Sequence, residues 1–74
     1  MEFIFNTSDI KRTITKSALE NIAEYYKDGF ESGNIGIISI TFLNGVNFIY
    51  KYNHYDENNR NKDYDNLKNT LNSL

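Results

Sequence analysis

The single histidine, His54, is followed by Tyr55, Asp56 and Glu57, so an imidazole and two carboxylates adjoin in the chain. A general base needs an orienting partner and a reacting group within hydrogen-bond reach. Consecutive residues of an extended loop point apart, and His54 therefore reads as a surface histidine. A metal centre here would need further ligands, all of them oxygen donors, because the chain has no cysteine. Asp56 and Asn58 match the first and third positions of a calcium-binding loop. Arg60 then takes the fifth position, Asn61 replaces the turn glycine, and Leu67 stands where the bidentate glutamate belongs. That segment reads as a solvated loop. Gly29, Gly33, Gly36 and Gly45 form no phosphate-cradling pattern. No catalytic, cofactor-binding or metal-ligating residue is assigned, and the chain is read as a non-enzyme.

Two surface features remain. Glu20, Glu24 and Asp28 recur at i, i+4 and i+8, with Glu31 just beyond, which on a helix makes an acidic stripe. Tyr25 lies on its flank, and a tyrosine ring gives contact area at little entropic cost. Lys16 and Lys27 stand close enough in sequence to pair with the stripe, and an ordinary solvated helix face is the plain alternative. The functional reading is an acidic, tyrosine-bearing surface that docks a basic groove, as a nucleic-acid mimic would. The second feature is Ile37 with Ile49. Both fall on the otherwise polar face of a sheet and would form a small apolar patch of the kind that pairs two copies of a chain.

The elements that must position these residues centre on a hairpin. Ile35 to Leu43 and Val46 to Tyr52 are rich in β-branched and aromatic residues. Asn44-Gly45 suggests a two-residue turn, but that register mixes polar and apolar side chains on each face. A three-residue loop, Leu43-Asn44-Gly45 with Gly45 left-handed, puts Ile38, Ile40 and Phe42 on one face with Val46, Phe48, Tyr50 and Tyr52. Upstream, Leu19, Ile22, Ala23, Tyr26 and Phe30 carry helical spacing. Ser17 and Glu20 form a capping box and Gly29 a stop, predicting a helix from Ser17 to Asp28. Downstream, Tyr64, Leu67, Leu71 and Leu74 mark a second helix of about twelve residues, after a polar loop from Asn53 to Lys62. Alternation at Phe3 and Phe5, and again from Ile10 to Thr15, suggests a first hairpin. The expectation is one α+β domain over residues 1–74, an antiparallel sheet of three to four strands with two helices on one face. The preferred order is β-β-α-β-β-α; extending the first helix back to Asp9 gives β-α-β-β-α.

Eight basic and ten acidic side chains leave a net charge of −2, which counts against direct nucleic-acid binding. No apolar run reaches the length of a membrane span. The N-terminus has no basic n-region or apolar h-region of a signal peptide, so a cytoplasmic location is expected. Beginning at Met1 and ending in helix-like sequence, the chain is expected to be complete. In size, mild acidity and lack of catalytic motifs it resembles the small phage-borne proteins that block host defence, including anti-CRISPR inhibitors. The resemblance is one of general character over the whole chain. It implies a stoichiometric blocker, acting in the host cytoplasm, that fills a nucleic-acid groove or prevents assembly of a nuclease. Protein-binding inhibitor or adaptor is thus the leading reading. A homodimeric assembly module follows, and a weak nucleic-acid binder using Lys11, Arg12 and Lys16 comes third.

Overall fold

The computed structural model describes residues 16–31 and 34–73. The anticipated first hairpin, with Lys11 and Arg12, lies outside the described residues. Helix α1 (Lys16–Glu20) leads into strands β1 (Ile22–Gly29), β2 (Gly36–Phe42) and β3 (Asn47–Tyr52), and helix α2 (Glu57–Asn72) follows. The strands form an antiparallel sheet in the order β1-β2-β3. The fold is α+β, with three strands and two helices among the described residues.

The central hairpin has the register that the three-residue loop predicts. Ile40 lies opposite Phe48 and Ile38 opposite Tyr50, and Phe42 N–H donates to Val46 O at 2.8 Å. Gly45 turns the chain at φ +87°, where a side chain would be strained. Asn44 Oδ1 accepts from Val46 N–H at 3.0 Å. Ile38 and Ile40 are fully buried in the middle of this face. Leu19 of α1 and Leu67 of α2 close over them, with Phe42, Tyr50 and Tyr52 completing the core. A buried Ile or Leu contributes about 1.5–3 kcal/mol through the water its apolar surface releases. Val46 and Phe48 share this side of the sheet but lie at its edge, 44% and 40% exposed.

Two expectations are corrected. The helix expected from Ser17 to Asp28 stops at Glu20, where Asn21 N–H donates back to Ala18 O at 3.0 Å. From Ile22 onward the backbone is strand, because pairing along the whole of β2 satisfies the N–H and C=O groups that point toward it. A bulge between Ile22 and Glu24 breaks the alternation of that strand. Ile22 therefore stays with the core, whereas Tyr26 falls on the opposite face; a period of two, once interrupted, resembles helical spacing. The second correction is the polar loop, of which Glu57 to Lys62 is the beginning of α2. The buried stripe of that helix is Arg60, Asp63, Leu67 and Thr70, rotated from the expected Tyr64–Leu67–Leu71 line.

Polar anchors explain the rotation. Arg60 donates from Nη1 to the Asp28 carbonyl at the end of β1, and its guanidinium lies 4.6 Å from the centroid of the Phe30 ring. That ring covers Gly36, where a Cβ would stand only 1.8 Å from it. Tyr52 donates its hydroxyl to Asp63 Oδ2 at 2.7 Å, and Asp63 is fully buried. Tyr52→Phe removes one donor from a buried carboxylate and is expected to cost about 1–3 kcal/mol. Urea unfolding reads this directly, and an unchanged midpoint would mean that the contact contributes nothing.

Candidate protein-binding surface

Because β1 is a strand, its side chains alternate between two sides, and the acidic stripe divides accordingly. Tyr25 and Lys27 point with Ile38 and Ile40 toward α2. The Tyr25 ring lies 5.6 Å from that of Tyr64, and Lys27 Nζ sits 5.0 Å over the Tyr64 ring. Tyr25 is therefore half-buried and does not share a face with Glu24 and Asp28. Glu24, Tyr26 and Asp28 take the opposite, open face. Glu20 is exposed on α1 and Glu31 is exposed beyond the end of β1, so neither belongs to the sheet face. Of the five residues expected to bind a partner, the structure brings together Glu24 and Asp28, and Tyr26 replaces Tyr25 between them.

The strand registers arrange the open face in three rows across β1, β2 and β3. Glu24, Thr41 and Asn47 form the first, Tyr26, Ser39 and Ile49 the second, and Asp28, Ile37 and Lys51 the third. The anticipated apolar pair, Ile37 with Ile49, is thus continuous with the acidic residues rather than a separate site. Tyr26 and Ile49 are 49% and 52% exposed, whereas Ser39 between them is 2% exposed. Asn47 Nδ2 donates to Ser39 Oγ and Thr41 Oγ1, both at 2.9 Å, which keeps this polar corner in register. Lys27 lies on the other side, so it does not neutralise the face as the helical reading implied. Asp28 Oδ1 accepts the Gly29 N–H at 2.8 Å, which fixes the carboxylate at the strand end. Sequence reasoning placed Lys51 on the face of Ile37 and Ile49 but missed Tyr26 as a member of it. The i, i+2, i+4 spacing of Glu24, Tyr26 and Asp28 would have found it had the segment been read as extended.

Other places offer less chemistry. His54 is exposed and, among the described residues, meets the Tyr55 ring edge-on at 5.3 Å between centroids. Among the described residues no three His, Cys, Asp or Glu side chains converge as a metal site would require. An open cleft of about 560 Å³ near the end of α1 has Ala18, Asn21, Phe42, Leu43 and Asn44 as its described lining. None of those five can act as an acid, base or nucleophile at ordinary pH. No helix of the described residues is long and apolar enough to cross a membrane. No protein-family model, curated protein or solved structure matches the chain.

Proposed function

We propose that this chain is a non-enzymatic protein-binding module, an inhibitor or adaptor that uses the open face of its sheet. The observation that supports the reading is the line Glu24–Tyr26–Asp28, exposed on a strand that is outermost among the described residues, beside Ile37 and Ile49. A tyrosine flanked by two carboxylates combines a desolvatable ring with charges that steer a basic partner. The target is a protein with a basic groove, of the kind that handles nucleic acid in a host cell, and a phage-borne inhibitor of host defence has this character. The opposing nucleic-acid reading leans on Lys11 and Arg12, which lie outside the described residues, and on Lys16.

The test is a double charge reversal, Glu24→Lys with Asp28→Lys, on side chains that carry no packing. Association with the protein captured on immobilised wild-type chain is expected to slow about tenfold or more. The wild-type rate should fall with added salt, and the reversed chain should respond less. Surface plasmon resonance at low and physiological salt measures both, with circular dichroism confirming the fold. Equal association rates for the two chains would remove the acidic face from binding.

A further inference from the structure

We infer that the open sheet face is self-complementary, and that a second copy of this chain covers it about a two-fold axis running along β2. This goes beyond the docking reading, since it needs the face but no target. It rests on the way the registers distribute charge. Asp28 and Lys51 occupy the same row on the two outer strands, with Ile37 between them. Two strand spacings separate them, roughly 10 Å, too far for a direct pair within one sheet. Neither has an ion-pair partner among the described residues. A two-fold axis parallel to the strands, placed over β2, sets each β1 above the partner's β3 without any slip along the strands. Asp28 then faces the partner's Lys51, and Lys51 the partner's Asp28. In the middle row Tyr26 covers the partner's Ile49 in both directions, and the small, buried Ser39 lies on the axis. Glu24 faces an amide, that of the partner's Asn47.

Charge also selects this arrangement over its nearest competitor. A two-fold axis perpendicular to the strands would lay Asp28 over the partner's Glu24 and leave Lys51 opposite an amide. Like charges meeting at an interface oppose association. The favoured geometry is that of an aligned sandwich, with the sheets about 10 Å apart and rotated by about 30°, an offset a lysine side chain can span. Three strands of six to eight residues project a face of only about 300 Å². Standard interfaces bury about 800 Å² on each side, so association is expected to be weak and reversible.

Sedimentation equilibrium on the whole chain, from roughly 1 to 500 µM, tests the proposal. The average mass is expected to rise from 8.7 kDa toward twice that value. Asp28→Lys alone and Lys51→Asp alone each place like charges together twice per dimer, and each should weaken association about tenfold or more. The combined Asp28→Lys, Lys51→Asp chain restores the pair with its polarity reversed and should recover most of the affinity. A mass of 8.7 kDa at every concentration, or a dimer indifferent to both single reversals, would overturn it. The combined variant regains self-association without regaining the acidic line, so target binding and dimerisation can fail separately.

Discussion

Truncating Ile40 to alanine is expected to lower stability by about 3–4 kcal/mol, the cost of a cavity where neighbours cannot close in. Ile40 is fully buried on the central strand, flanked by Tyr25 and Phe48 on its two sides. A chain of this size has roughly 4–11 kcal/mol in total, so most of the margin would go. Thermal unfolding should shift by roughly 15–25 °C. Phe48→Ala is the internal comparison. Its ring meets Phe42 edge-on at 5.7 Å and stacks on Tyr50 at 6.5 Å, but it is 40% exposed. Despite the larger side chain it should cost about half as much, because water already reaches one side. The order of the two melting temperatures is the measurement. Equal losses would mean that Phe48 lies deeper than its exposure indicates.

Gly29→Ala should be nearly as damaging for a different reason. Gly29 has φ +92°, and an added Cβ would lie 2.3 Å from the Ile35 carbonyl oxygen and 2.7 Å from Gly36 Cα. Both obstacles are backbone, and the sheet holds that backbone in place through the Gly29–Gly36 pairing. Left-handed strain adds about 1–2 kcal/mol and the overlap about 1–3 more, giving a loss of about 3 kcal/mol. Gly36→Ala meets only the Phe30 ring, which can swing away and so should cost less. Denaturant midpoints for the two variants separate backbone collision from side-chain collision, and a milder Gly29→Ala would place the β1–β2 turn differently. Phe30 itself has φ +67°, and its ring contacts the Arg60 guanidinium.

The hairpin was legible because one face is clean. Ile38, Ile40 and Tyr50 must all be buried, and only one loop length puts them together, so local pattern and tertiary burial give the same register. Strand β1 was illegible for the opposite reason. Among the described residues it is an edge strand with half-exposed side chains on both faces, and its bulge interrupts the only periodicity it had. What decides its conformation is the row of hydrogen-bonding groups that β2 offers, a partner distant in sequence. The start of α2 was missed because Arg60 and Asp63 are charged, and charged residues are rarely buried without partners. Their partners, the Asp28 carbonyl and the Tyr52 hydroxyl, are more than ten residues away and leave no local signal. For the candidate surface, residue types were readable and residue neighbours were not. Glu24, Asp28, Ile37 and Ile49 could be named from the sequence, whereas their shared face depended on the conformation of one segment.

The bulge in β1 and the inward aim of Lys27 bear on what the chain does when it is crowded. An edge strand offers a row of unpaired N–H and C=O groups, a template on which further strands can add and fibrils grow. Here an incoming strand that matched the stretch from Glu24 to Gly29 would lose its phase at the bulge beside Ile22. Its addition would also bring it against the Lys27 ammonium, which leans over Tyr64 on the helix side of that same edge. One extra residue and one cation at β1 therefore disfavour growth along the sheet. Among the described residues, strand-by-strand addition at this edge is opposed by both features, while the broad face of the sheet stays exposed.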